Sequence, residues 1–150
     1  MPDADLSSIS LGDVRVLRRD GGTSSVRLSV EFTGCAGEVE LTRARKSRLR
    51  YAYPVGEHDV EVALSGFAAP GAWTEVLGRV VAAVEETDPF CRRVVIATDI
   101  EDLDALRSAE SAGFRYVLDV DLQGGSYRLA VAEPEWVTSV DMDLDRVPSA

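Results

Sequence analysis

Apolar and polar residues alternate along much of the first third of the chain. The alternation is clear over 13–17, 26–32 and 38–41, and this period of two predicts half-buried strands. Asp20-Gly21-Gly22 separates the first two segments and predicts a tight hairpin turn, because these residues tolerate positive φ. Leu49, Tyr51 and Tyr53 form one more apolar row, so the pattern predicts four strands before residue 57.

The pattern of the second half predicts two helices among further strands. Apolar residues recur every three or four positions from Trp73 to Val84, as on one face of a helix. Within 93–97, the continuous apolar run Val94-Val95-Ile96-Ala97 is typical of a central strand that is covered on both faces. In order, the chain predicts a strand at 59–65, a helix from the Pro70 turn to Glu86, a strand at 93–97, a helix at 102–112 capped by Gly113, and strands at 116–120 and 129–131.

Composition and charge narrow the class of protein. The 150 residues, 45% of them hydrophobic, suit a single domain over 1–150, with 1–12 and 138–150 as candidate loose tails. A formal net charge of −10 disfavours nucleic acid and anionic membranes as partners. No apolar run approaches the roughly 20 residues that span a bilayer, and we expect a cytoplasmic protein. Cys35 and Cys91 are expected to be reduced structural cysteines.

The second predicted helix and its exit carry a family resemblance. That helix ends in Ala-Glu-Ser-Ala-Gly-Phe, with Gly113-Phe114 after its last turn. Together with the order of elements over 59–132, this ending resembles the C-terminal half of acetyl-CoA-dependent N-acetyltransferases of the GNAT superfamily. The resemblance implies an α/β (α+β) fold, with a twisted, mixed, mostly antiparallel sheet and two helices. The helices that normally follow the first strand of the family, and that help to form its acceptor site, have no counterpart here.

The family helix commonly begins with asparagine, carries an alanine three positions later, then a tyrosine, and ends in Gly-Phe. Ala105 matches the alanine, Asp102 stands at the asparagine position and Ala109 stands at the tyrosine position. In the family that tyrosine protonates the leaving thiolate of coenzyme A, which alanine cannot do. Ser108 is the adjacent candidate acid, and a solvated surface serine is the alternative interpretation.

The loop before the first helix resembles the pyrophosphate-binding loop of the family. The family loop usually reads Gln or Arg, two residues, Gly, one residue, then Gly or Ala. Residues 66–72 keep the small residues but lack the basic one, and Pro70 removes an N–H donor. A plain strand-to-helix turn would have the same composition. The resemblance implies that Gly71, Ala72, Trp73 and Thr74 line the phosphates of acetyl-CoA, and that the backbone of Val62 and Leu64 contacts its pantetheine arm.

An amine acceptor would also require a general base. Family members often supply it from the strand before the cofactor loop, where Glu61 and His58 are the candidates. His58 is the only histidine, and its ordinary pKa suits the role; a surface position in a turn is the alternative. Glu61 faces away from Val60 and Val62, towards a substrate cleft or towards water. Glu61 is preferred over His58 as the base.

Three other groupings have ordinary structural interpretations. Five of the 16 basic residues lie between Arg43 and Arg50; they could contact a coenzyme A phosphate or an acidic partner, or form a solvated hairpin turn with outward arginines. Asp141, Asp143 and Asp145 lack the spacing of an EF-hand, so an edge strand or a loose tail is favoured and no metal is expected. Trp73 and Trp136 are interpreted as core or interface anchors.

The leading functional hypothesis is transfer of an acetyl group from acetyl-CoA to an unidentified amine on a small molecule or a protein. The alternatives are a catalytically inactive GNAT-like module that binds a ligand or a protein, and a structural or dimerising domain. The missing helices would leave the acceptor cleft open or completed by a second subunit, so a homodimer stays open. One histidine and two distant cysteines give no support to a hydrolase.

Overall fold

A seven-stranded mixed sheet with two helices forms the fold in the computed structural model, which describes residues 4–69 and 71–133. The strand order is β1-β2-β3-β4-β5-β7-β6, and every neighbouring pair is antiparallel except β4 and β5. This confirms the predicted α/β class. The elements are β1 Arg15–Gly21, β2 Ser25–Phe32, β3 Cys35–Arg43, β4 Val60–Gly66, α1 Ala72–Thr87, β5 Val94–Asp99, α2 Leu103–Ser111, β6 Arg115–Leu122 and β7 Gly125–Ala132.

Tight turns set the register of the first three strands. The predicted hairpin at Asp20-Gly21-Gly22 is present, and the N–H of Gly22 donates to the carbonyl of Ser25. Between β2 and β3 the two turn residues Thr33 and Gly34 have φ of 49° and 83°. Two consecutive positive φ values match the type I′ turn that fits the twist of adjacent strands.

The predicted fourth strand at Leu49, Tyr51 and Tyr53 is wrong. Residues 44–53, here called the turn segment, instead form a 3-10 turn, Ala44–Lys46, followed by further turns. The Ser47 hydroxyl accepts from the N–H of Leu49 and donates to the carbonyl of Ala44, which curls the backbone. Leu49 is fully buried whereas Tyr51 is 88% exposed, so the two side chains do not share a face. In the part of the chain that the structure describes, three strands therefore precede residue 57.

The helices cover one face of the sheet, and the turn segment covers part of the other. Valine, leucine and isoleucine side chains from β2 to β5 pack against α1 and α2 in the main core. On the opposite face, Leu49 packs on Val95, Leu129 and Val131. The sheet thus has a helix face and an opposite face, and residues that alternate along one strand reach different environments.

Residues 5–11, which lie within the candidate loose tail 1–12, contribute to the core. A 3-10 turn, Leu6–Ser8, places Leu6 and Ile9 at 0% exposure and Leu11 at 2%. Asp5 caps this turn by accepting from the N–H of Ser7. The irregular spacing of these apolar residues has neither the strand period nor the helix period, so the pattern did not reveal them.

Both predicted helices are present, and both ends of α2 are capped. The Asp102 carboxylate accepts from the N–H of Ala105 at 3.0 Å and so begins α2. Gly113, at φ 102°, ends α2 as predicted, and the N–H of Phe114 returns to the carbonyl of Ala109. Among the described residues, no helix is both long and apolar enough to cross a bilayer.

Gly66, at the end of β4, is expected to be the most sequence-restricted glycine of this region. A Cβ there would lie 2.8 Å from the Gly37 Cα and 2.9 Å from the Ala36 carbonyl oxygen, at φ +81°. Gly34→Ala is the matched control, because its φ is +83° but its Cβ would meet nothing within 4 Å. We expect Gly66→Ala to cost about 1–3 kcal/mol more than Gly34→Ala, measured by urea unfolding. Equal costs would show that the backbone contact relaxes freely.

Candidate active site

The parallel strands β4 and β5 separate part-way along their length. Their pairing runs from Val60↔Val94 to Val62↔Ile96, although β4 continues to Gly66 and β5 to Asp99. The gap between residues 63–66 of β4 and residues 97–99 of β5 is here called the β4–β5 cleft. Beyond Val62 and Ile96 the two strands no longer pair with each other, so backbone groups of both strands border the cleft.

Backbone groups of β4 point into this cleft. The N–H of Val60 donates to the carbonyl of Arg93 beside β5. The N–H and C=O groups of successive residues point to alternate sides of a strand. The backbone N–H and C=O groups of Val62 and Leu64 therefore point towards β5, as those of Val60 do. At Val62 these groups face the paired part of β5, and at Leu64 they face the cleft. An extended, amide-containing ligand could therefore pair with β4 as a strand would.

The N-terminus of α1 lies beside a cavity on the helix face. The cavity has a volume of about 640 Å³ and is lined by the loop before α1, the first turn of α1 and one side of α2. Its lining residues are Ala68, Ala69, Gly71, Trp73, Thr74, Asp102, Asp104, Ala105, Arg107, Ser108 and Ser111. Arg107 is the one cation of this lining, and it makes no ion pair with any described residue.

The first turn of α1 leaves backbone N–H groups without a partner in the helix. The N–H of Glu75 makes the first helical hydrogen bond, to Gly71, so the N–H groups of Trp73 and Thr74 have no partner within the helix. No side chain caps this end, and Gly71 adopts the left-handed conformation at φ 80°. N–H groups at a helix N-terminus attract phosphate. The residues present therefore fit a pyrophosphate-bearing ligand such as acetyl-CoA, despite the missing basic residue of the loop.

Most of the predicted cofactor-binding residues gather around the cavity and the cleft. Gly71, Trp73 and Thr74 line the cavity, and the backbone of Leu64 borders the cleft. Ala72 is buried at 5% exposure, so only its backbone is near the cavity. The Thr74 hydroxyl donates to the carbonyl of Ser108 at 3.1 Å, and this bond ties α1 to α2.

The three predicted catalytic residues do not lie in one place. Ser108 lines the cavity beside α1, whereas Glu61 lies on the opposite face of the sheet, where Val95 is its partner on β5. His58 precedes β4 and lines a second cavity, of about 740 Å³. That cavity is at the end of β4 and β5 where the strands begin, away from the cleft. Of the two candidate bases, Glu61 is the nearer to the cleft.

Glu61 forms an ion pair with Arg48, and neither Arg48 nor its neighbour Tyr127 was a candidate catalytic residue in the sequence. Its side chain is 8% exposed, and its Oε2 lies 3.3 Å from the Nε of Arg48 in the turn segment. The Arg48 guanidinium also stacks 4.6 Å from the centre of the Tyr127 ring on β7. Arg48 was visible only as one member of a basic run, and Tyr127 lies just before the strand predicted at 129–131.

The basic run from Arg43 to Arg50 is not a row of outward-facing arginines. Arg43 is fully buried and ion-paired with Asp88, Arg45 donates to the carbonyl of Glu57, and Arg50 stacks over Tyr51. The hairpin interpretation of this run is therefore wrong, because a turn segment replaces the hairpin. None of these residues lines the cavity beside α1.

The two cysteines are free, and neither is part of the cleft. The Cys91 thiol donates to the carbonyl of Arg93, and burial raises its pKa to about 12, so it is inert at neutral pH. In the described ranges, no group of three His, Cys, Asp or Glu residues could hold a metal ion. The predictions for Asp141, Asp143, Asp145 and Trp136 lie outside the described residues.

The sequence matches one curated protein over part of its length, and no protein-family model matches it. The lysine N-acyltransferase MbtK of Mycobacterium sp. (strain MCS) is 35% identical over 88 residues, which are 56% of this chain and 36% of that protein. The chain thus spans about a third of the length of the curated relative that it matches.

Solved structures are similar over most of the chain. The aminoglycoside acetyltransferase AAC(6')-Ib, in complex with coenzyme A and kanamycin, has a TM-score of 0.65 at 16% identity, over 75% of this chain and 68% of that one. A protein from Bordetella pertussis described as a GnaT-family acetyltransferase has a TM-score of 0.54 at 23% identity, over 72% and 64%. The resemblance carried by Gly113-Phe114 is confirmed: this chain has the fold of the GNAT acetyltransferases.

Proposed function

We propose that this protein transfers an acyl group from an acyl-CoA to a primary amine. The observation that carries the proposal is the β4–β5 cleft with the uncapped N-terminus of α1 beside it. In this arrangement the α1 N-terminus would bind a pyrophosphate, and the free edge of β4 would bind an amide-containing arm. An acyl-CoA would supply an acyl carbon activated as a thioester.

The residues on the helix face would bind and orient this donor. The N–H groups of Trp73 and Thr74 would donate to the pyrophosphate, and Arg107 would neutralise part of its charge. The backbone of Leu64 would hold the pantetheine arm in the cleft, which directs the thioester towards the opposite face. Ser108 remains the predicted proton donor on the helix side.

The opposite face would receive the amine. The curated relative is named for acyl transfer to lysine, and AAC(6')-Ib is named as an aminoglycoside acetyltransferase; both names support an amine acceptor. An amine must lose a proton as its nitrogen forms the amide bond. Glu61, buried beside the cleft, would accept that proton.

Calorimetric titration with acetyl-CoA and with free coenzyme A tests the donor site. We expect micromolar binding by the natural protein and a loss of at least about tenfold in Gly71→Glu, because the new carboxylate would repel the phosphates. Gly71→Asn is the matched control: it also adds a side chain at φ 80°, which asparagine tolerates, but it adds no charge. A Cβ at this position meets nothing within 4 Å, so both variants should fold.

The absence of binding at millimolar ligand would overturn the proposal. Equal losses of coenzyme A affinity in Gly71→Glu and Gly71→Asn would show that the phosphates do not bind at the α1 N-terminus. A catalytically inactive binding module is the second candidate, and the observation that favours it is Ala109, which is fully buried where the family has a tyrosine. Release of free thiol from acetyl-CoA in the presence of amines separates the two candidates, since the inactive module would bind without turnover.

A further inference from the structure

Arg48 crosses the sheet on the face opposite to the helices, at the point where the cleft begins. Its partner Glu61 is level with Val95 of β5, and its other partner Tyr127 is level with Asp99 of β5. A guanidinium that contacts both must pass over β5 between these levels, near Ala97. Ala97 directly follows Ile96, the last residue of β5 that pairs with β4.

The Arg48 guanidinium makes two contacts, which leave some of its N–H donors without a partner among the described residues. The Nε of Arg48 donates to Glu61 Oε2 at 3.3 Å, and the flat face of the guanidinium stacks on the Tyr127 ring. The two terminal nitrogen atoms make no hydrogen bond with any residue in the described ranges, and 42% of the side chain is exposed. A positioned guanidinium with unused donors is well suited to bind a carboxylate through two parallel hydrogen bonds.

Glu61 and Arg48 together present two opposite charges beside the cleft. An acceptor with an ammonium group and a carboxylate would match both, the ammonium at Glu61 and the carboxylate at the free edge of Arg48. An amine without an acid group would satisfy Glu61 alone. In a chain with a net charge of −10, most of the surface disfavours anions, so a fixed cation at this position favours acidic acceptors there.

We propose that Arg48 selects an acceptor that carries a carboxylate in addition to its amine, so that the substrate class is an amino acid or a molecule with an amino-acid group. This inference rests on the proposed acyl transfer, because it concerns the acceptor side of the same cleft. Arg48 acts as a specificity residue: it contacts the acceptor away from the reacting nitrogen.

The test compares amines that differ only in the carboxylate. Glycine, β-alanine, 4-aminobutyrate and 6-aminohexanoate are each paired with the alkylamine of the same chain length, and thiol release from acetyl-CoA gives kcat and KM for each. We expect at least one ω-amino acid to exceed its matched alkylamine by about tenfold to hundredfold in kcat/KM, since a charge-assisted hydrogen-bonded contact is lost in the alkylamine.

Two substitutions assign the preference to Arg48. Arg48→Ala should abolish the preference, mainly through KM for the amino acids, so that each amino acid and its matched alkylamine have kcat/KM values within about threefold of each other. Arg48→Lys keeps a cation for Glu61 and guards against misfolding; it should retain part of the preference, because lysine has no planar fork. Arg50→Ala is the matched control from the same turn segment, where Arg50 stacks on the exposed Tyr51, and it should behave as the natural protein.

The outcomes are separable. Equal use of every amino acid and its matched alkylamine, with acyl transfer intact, would overturn the inference and leave the proposed function standing. A preference that survives in Arg48→Ala would also overturn it. If acetyl-CoA does not bind in the titration described above, the proposed function fails and the inference fails with it.

Discussion

Replacement of Asp88 by alanine is expected to lower the free energy of unfolding by about 3–5 kcal/mol. Asp88 ends α1, and its Oδ2 lies 2.7 Å from the Nη1 of Arg43, which ends β3. The two side chains are 2% and 0% exposed. Removal of the carboxylate would leave a guanidinium charge in the core, and its Nε already has no hydrogen-bond partner among the described residues.

Urea unfolding of matched variants measures this cost. Glu40→Ala is the control, because it breaks an Arg27–Glu40 pair of similar length, 2.8 Å, that is 59% and 41% exposed; exposed pairs contribute about 0–1 kcal/mol. The double variant Arg43→Met with Asp88→Leu should recover much of the loss, since it removes both charges. A similar small cost for Asp88→Ala and Glu40→Ala would show that water reaches the buried pair.

The fold was largely predictable because its helices and inner strands follow strict periods. The continuous apolar run Val94-Val95-Ile96-Ala97 predicted a central strand, and β5 is indeed paired on both sides. Asp102 and Gly113 marked the ends of α2 because capping depends on local chemistry. Local rules therefore located the elements on which the family resemblance depends.

The predictions failed where side-chain hydrogen bonds and ion pairs, local or tertiary, decide the structure rather than the hydrophobic period. Leu49 and Tyr51 have the spacing of a strand, but the Ser47 hydroxyl hydrogen-bonds to the backbone and competes with strand pairing. Arg43 appeared to be one of several surface arginines, and only the position of Asp88 at the end of α1 makes it a core residue. The periodic spacing of hydrophobic residues does not predict ion pairs between side chains that are distant in sequence.

The residues proposed for the donor could largely be predicted from the sequence, whereas most of those proposed for the acceptor could not. Most of the proposed donor residues lie on a continuous stretch, from β4 through the loop to α1, so they are neighbours in sequence. The proposed acceptor residues Arg48, Glu61 and Tyr127 come from three separate parts of the chain. Their proximity depends on the order β4-β5-β7 in the sheet, which the pattern of hydrophobic residues does not specify.

Replacement of Glu61 by glutamine is expected to lower kcat for amine acylation by about 10²–10⁴-fold at neutral pH. Glutamine keeps the shape of the side chain and can still accept from the Nε of Arg48, which now lies 3.3 Å from the carboxylate. Glutamine cannot accept a proton. The substitution therefore removes the proposed base and its negative charge, while Arg48 keeps a hydrogen-bond partner and the distant α1 N-terminus is untouched, so the affinity for coenzyme A should not change.

The pH dependence of the variant distinguishes a lost base from a damaged site. A lysine-type amine has an ordinary pKa of about 10.4, so above that pH it reaches the cleft already neutral. The rate of Glu61→Gln should then rise towards that of the natural protein as the pH increases, whereas a distorted site would stay slow at every pH. Glu40→Gln is the matched control, since Glu40 pairs with Ala63 of β4, and should leave kcat unchanged.

A wild-type rate for Glu61→Gln at neutral pH would contradict the assignment of the base. Glu61 would then serve only to hold Arg48 in place, because the ion pair is the other contact that its carboxylate makes. In that case the ω-amino acid preference should persist while the proton leaves through solvent. The pH profile and the acceptor preference thus report separately on the two roles that the geometry gives to one carboxylate.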